Sequence, residues 1–226
     1  QVRAGSWPPV VPPTSLAVSL PSSVSGMSTV DEVIASIPEA DDIDISDKKF
    51  GDDGIKKIAA AIAKGTTATE LYFDGNEITD EGAKALAAAI EKNETINLVS
   101  LLQNQISDAG GVAIAKAVAK NAFIVELDMR DNKIGDEAAA AFASALQSNG
   151  TLKKLYLKDN DIGDDGAKSL AEALKKNEAL KQLDIESNNV GEPGVNALLD
   201  AKEATGKEVT AGYQKSGFRA TGYKKG

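Results

Sequence analysis

The sequence contains no cysteine and no histidine, and little that is aromatic: 4% of its 226 residues are Phe, Tyr or Trp. Without Cys there is no disulfide framework and no thiolate metal site. Without His the commonest general base and the commonest zinc ligand are both missing. No apolar run approaches the roughly 20 residues needed to cross a bilayer as a helix. Positive charge is also short, with 25 Lys and Arg against 34 Asp and Glu and a formal net charge of −9. A phosphate-binding surface needs clustered cations, so no nucleic-acid partner is expected. No phosphate-cradling Gly loop, nucleophile elbow or Cys/His pair is present, so the chain reads as non-catalytic, with no cofactor.

What the sequence does have is a period. Written in rows of 28, its columns align without a gap. Leu71, Val99, Leu127, Leu155 and Leu183 form one column, headed by Ile43, and Phe73, Leu101, Met129, Leu157 and Ile185 form another, headed by Ile45. Asn76, Asn104, Asn132, Asn160 and Asn188 follow, then Ile78, Ile106, Ile134, Ile162 and Val190. Each row thus opens L-x-L-x-x-N-x-I, a short alternating strand and a turn. An amide at the Asn position can donate and accept, which suits backbone groups left inside when strands stack.

The second half of each row reads as a helix. Asp52, Asp80, Asp108, Asp136 and Asp164 stand where a helix N-cap is expected, ahead of apolar pairs such as Leu86/Ile90 and Leu170/Leu174. The same column read as a ladder of metal sites lacks any EF-hand ligand spacing, so no metal is expected. Gly65, Asn93, Asn121, Asn149 and Asn177 share the column where each helix stops, which predicts a left-handed residue there. Asn93 and Asn149 also begin glycosylation sequons, which the repeat already explains.

These rows resemble the ribonuclease-inhibitor-like branch of the leucine-rich-repeat superfamily over about residues 41–206. The resemblance implies an α/β solenoid of about six repeats, a horseshoe arc with parallel strands on the concave face and helices on the convex face. Ribonuclease inhibitor, the Ran GTPase-activating protein and the repeat domain of tropomodulin share this branch, so three functions stay open. They are a protein-binding scaffold, a GTPase-activating or other enzyme-regulating module, and an actin-cytoskeleton protein. The arginine that the family associates with GTPase activation lies in an early repeat loop. Here the one arginine within the rows is Arg130, on a strand. Extracellular relatives usually carry disulfide-stapled caps, so the absence of Cys implies an intracellular protein, cytoplasmic by default. An organelle, after removal of a targeting segment, is the alternative.

The ends differ from the rows. Residues 1–27 form a Pro/Ser-rich extension carrying Trp7-Pro8-Pro9, and residues 28–40 a capping helix with Ser28 as N-cap. Residues 207–226 form a basic tail in which Tyr213, Phe218 and Tyr223 each follow a glycine. Residues 1–40 carry −2 (Arg3 against Asp31, Glu32 and Glu39) and 207–226 carry +4 (five cations against Glu208), leaving −11 between them. A start at Gln1 and two low-complexity ends suggest a processed chain, monomeric within a hetero-assembly whose accessory subunit it is. The partner is expected to be a protein of unknown identity, met by strand positions that face away from the core. The candidates are Tyr72, Asp74, Leu102, Asp128, Arg130, Tyr156 and Lys158, with Tyr213, Phe218 and Tyr223 from the tail.

Overall fold

A computed structural model describes residues 23–217. Helix α1 (Val30–Ser36) and a 3₁₀ turn (Ile37–Glu39) precede strand β1 (Asp42–Asp44). Helices and strands then alternate: α2 (Gly51–Ile62), β2 (Glu70–Tyr72), α3 (Asp80–Ile90), β3 (Leu98–Ser100), α4 (Asp108–Lys120), β4 (Glu126–Asp128) and α5 (Asp136–Ser148). They continue with β5 (Lys154–Tyr156), α6 (Asp164–Lys176), β6 (Gln182–Asp184), α7 (Glu192–Thr205) and β7 (Glu208–Thr210). The seven strands lie in sequence order in one parallel sheet. The core between sheet and helices is aliphatic and Ala-rich, with Phe73 and Phe142 its largest members. The result is an α/β solenoid arc.

The Asn column behaves as its chemistry requires. Asn160 Nδ2 donates to Met129 O in the preceding row at 2.9 Å, while its Oδ1 accepts from Ile134 N of that same row at 2.9 Å. Asn132 and Asn188 repeat both bonds, and all three are buried. A buried amide so matched leaves no orphan in the joint between rows.

The Asp column differs from expectation. Asp80, Asp108, Asp136 and Asp164 are each the first residue of their own helix, with Thr79, Ser107, Gly135 and Gly163 at the N-cap, and Asp52 is the second residue of α2. The carboxylate instead caps the helix of the following row. Asp52 Oδ1 accepts from Thr79 N and Gly82 N, and Asp136 Oδ1 accepts from Gly163 N and Gly166 N. A side chain already inside the first turn points away from that turn's own free N–H groups, and the next row brings its own within reach. Gly135 shows how close the approach is: a Cβ there would meet Asp108 Oδ2 at 2.7 Å.

The helix-ending column is likewise corrected. Asn121, Asn149 and Asn177 are extended, at φ −75°, −82° and −77°, and only Gly65 has a positive φ. Asn149 Nδ2 reaches back to Val118 O and Asn121 O, and Asn177 Nδ2 to Leu146 O and Asn149 O. A second amide ladder therefore runs along the opposite flank from the first.

The two ends are closed differently, and the C-terminal one carries substitutes for ladder residues. At the start, Thr29 rather than Ser28 is the N-cap of α1, in a reciprocal box with Glu32. Val33, Ile37 and Ala40 are buried, and Ser23 bridges to Asp42 on the outer edge of β1. At the other end, strands β1 to β6 pair at a 28-residue offset but β7 pairs at 26, Gln182 with Glu208. The shift brings Gln214 into the first ladder, donating to Ile185 O and accepting from Asn188 N. Lys207, 30 residues after Asn177, sets its ammonium on Leu174 O and Asn177 O at the end of the second ladder. Lys215 turns back onto Asn160 O at 2.8 Å.

Two variants test this account in urea unfolding. Asn160→Ala is expected to cost about 1–3 kcal/mol through the groups it orphans. Asp136→Ala is expected to cost about 0.5–2 kcal/mol, and amide exchange should quicken at the start of α6, not α5. Faster exchange confined to α5 contradicts capping between rows.

Candidate functional site

The strand residues facing away from the core form the concave surface. In its first column the register places Tyr72, Ser100, Asp128, Tyr156 and Asp184 side by side on consecutive strands. A second column, two residues on, holds Asp74, Leu102, Arg130, Lys158 and Glu186.

The best-defined group is at its centre. Asp128 is buried at 7% exposure, and its carboxylate holds the Arg130 guanidinium: Nε lies 2.9 and 2.8 Å from its two oxygens and Nη2 2.5 Å from one of them. The arginine side chain stays 42% exposed, and its guanidinium carbon stands 5.5 Å from the Tyr156 ring centroid. Hydrogen bonding to Asp128 raises the Arg130 pKa further. Burial, then the nearby Glu126, pushes the Tyr156 phenol up. Lys154 pairs with Glu126 at 2.9 Å at the edge of the same group. The Asp128 carboxylate thus buttresses Arg130 from below the surface.

The other expected residues are less concentrated. Tyr72 lies three strands from Tyr156, about 14 Å at ordinary strand spacing. Its hydroxyl donates to Glu70 Oε2 at 2.6 Å, and that bond, with burial and the charges of Glu70, Asp42 and Glu126, lifts its pKa to about 12. Asp74 accepts from Ser100 Oγ at 2.5 Å and Leu102 N at 3.0 Å; burial outweighs these bonds and raises its pKa. Leu102 is half-buried, not the exposed apolar residue expected from its column. Lys158 faces the half-buried Asp184, whose pKa burial also raises. Tyr213 is 49% exposed beyond β7, away from the central group, and Phe218 and Tyr223 lie outside the described residues.

Two exposed side chains were absent from the expected set. Phe123 is 42% and Val125 40% exposed, on the loop entering β4. The sequence does carry their signal, because Phe123 puts a large aromatic side chain into a column of small residues, Thr67, Thr95, Thr151 and Ala179.

Among the described residues, no group of three His, Cys, Asp or Glu side chains could hold a metal ion, and no helix is long and apolar enough to cross a membrane.

The family model for the Leucine Rich repeat matches residues 67–87, 92–115, 120–143, 148–171 and 176–199, together more than half of the chain. The chain belongs to the leucine-rich-repeat family. No curated protein sequence matches it. Among solved structures, this leucine-rich-repeat chain is similar to one titled "Leiomodin-1 Actin-Binding Site 2 (ABS2)". The TM-score is 0.53 at 19% identity, over 78% of this chain and 86% of that one. At that identity the likeness speaks for the fold.

The hydrogen bond from Tyr72 gives a direct test of the site's geometry. A raised folded pKa means that the bond stabilises the fold fully below the unfolded value near 10. That contribution is lost as pH rises through about 12. Subtracting the absorbance titration of Tyr72→Phe from that of the native protein should isolate a midpoint near 12, and Glu70→Ala should bring it back toward 10. A midpoint near 10 in the native protein contradicts the bond.

Proposed function

We propose that this leucine-rich-repeat protein is a non-catalytic binding scaffold, the accessory subunit of a larger assembly, which holds a protein partner against its concave sheet. The observation that carries the reading is Arg130, locked by Asp128 and laid over Tyr156 in mid-sheet. Arginine and tyrosine dominate binding hot spots, and side chains already fixed lose little entropy on association. Asp74, Leu102 and Lys158 in the neighbouring column and Tyr72 toward the first rows would extend the contact, with Tyr213, Phe218 and Tyr223 adding one from the C-terminal segment. The 28-residue spacing supports the ribonuclease-inhibitor-like type, and a monomer within a hetero-assembly is part of the same reading.

A regulator using Arg130 as a catalytic finger fits less well, since Asp128 already matches its charge. An actin-binding role is the second reading, favoured by the solved structure titled as an actin-binding site.

Two measurements separate these readings. Affinity purification from the native source should yield a stoichiometric protein companion. Tyr156→Ala and Arg130→Lys should each weaken its binding about tenfold or more without lowering Tm appreciably. A companion retained equally by both variants removes the concave face from the interface. Co-sedimentation with filamentous actin and pyrene–actin polymerisation test the second reading, which fails if neither responds at equimolar protein.

A further inference from the structure

On the loop flank, where chains enter the strands, one column changes character at Phe123 after two threonines that bond to the row before. Thr67 and Thr95 donate their hydroxyls to Ala40 O and Ala68 O of the preceding rows at 2.8 and 2.9 Å. Phe123 occupies the same column and has no donor to offer. The fourth row therefore forgoes a structural hydrogen bond and leaves a benzyl group 42% exposed. Val125 follows two residues on at 40%, with Ile124 buried between them. Neither exposure serves the fold.

What lies beside this pair gives it a chemistry. Val125 O accepts from Lys153 N at 2.7 Å, and Lys153 O from Lys181 N at 2.8 Å, so the three residues stand in line on consecutive rows. Glu208 N continues the line to Lys181 O, which places Lys207 beside it. Among the described residues neither Lys153 nor Lys181 meets a carboxylate; their ammonium groups rest on Gly150 O and Glu178 O. Two shallow clefts open along this line. One of about 440 Å³ is lined by Lys153 and Lys176, and one of about 520 Å³ by Lys175, Lys181 and Lys207. Their acidic neighbours are Glu178 and Glu208. On a chain of net charge −9, this is a local reversal of sign.

We propose that Phe123, Val125, Lys153 and Lys181 form a second docking surface, which takes an extended acidic segment of a partner protein with an apolar residue at its leading end. From β4 to β7 are three strand spacings, about 14 Å, the reach of about four extended residues. The segment is thus an apolar residue followed by about three carboxylates, with a flanking residue free to overhang at either end. This surface is separate from the concave face and does not depend on it.

The probe is a fluorescein-labelled peptide, Leu-Phe followed by four glutamates, read by fluorescence anisotropy at low salt, with a Leu-Phe-tetralysine peptide as control. The native protein is expected to bind the acidic peptide saturably and the basic one not at all. Lys153→Glu with Lys181→Glu, and separately Phe123→Thr, should each weaken binding about tenfold. Phe123→Thr restores the column's threonine, so its Tm should stay level or rise while binding falls, which separates docking from folding. The proposal is overturned if both peptides bind alike, if neither binds, or if the charge reversals leave the affinity unchanged.

Discussion

The joint between successive rows is held by side-chain amides bonded to main chain. A three-residue strand cannot close its own hydrogen-bond ledger, and the loop that follows it turns inward. Asn76, Asn104, Asn132, Asn160 and Asn188 each bridge to the row before, and Asn121, Asn149 and Asn177 do the same along the other flank. With both ladders in place, the aliphatic core can be one thin layer per row, which is why a chain so poor in aromatics can fold at all. The same ladders fix the register that sets Tyr156 beside Asp128 and, along the flank, Lys153 beside Val125.

Much of this was legible in the sequence because each column is one environment repeated. The apolar strand positions, the Asn ladder and the helix faces appear where the 28-residue spacing places them. What failed were assignments that spacing alone leaves ambiguous. An Asp at a helix start lies near two N-termini, its own and that of the next row, and only the path of the chain selects the second. An Asn at a helix end satisfies either a left-handed turn or a cross-row bond, and the residue type is the same for both. The last unit was hidden by its two-residue contraction: at the 28-residue offset the Asn column falls on Ser216, while the ladder is continued by Gln214.

The concave face shows the same division. Column position correctly puts Arg130 and Tyr156 on the outward side. Exposure depends on what the neighbouring rows carry. Leu102 is shielded to about half, and Asp128 is buried and held by the arginine two residues beyond it. Phe123 and Val125 were readable as a break in a column, yet a break gains meaning only when the two threonines before it are seen to make a bond.

The caps give the array a direction that its repetitive outline conceals. Each carboxylate of the repeating Asp column reaches forward to the helix of the following row, while the ladder amides reach back. The two ends are therefore not equivalent when the chain frays. Detaching the last row returns a carboxylate to water, which hydrates it well. Detaching the first strips the acceptor from N–H groups of a helix that is still folded. Detaching the last row also strips its ladder amide from main-chain groups of the row before, and it is there that Lys207, Gln214 and Lys215 fasten the final row to the rows before it.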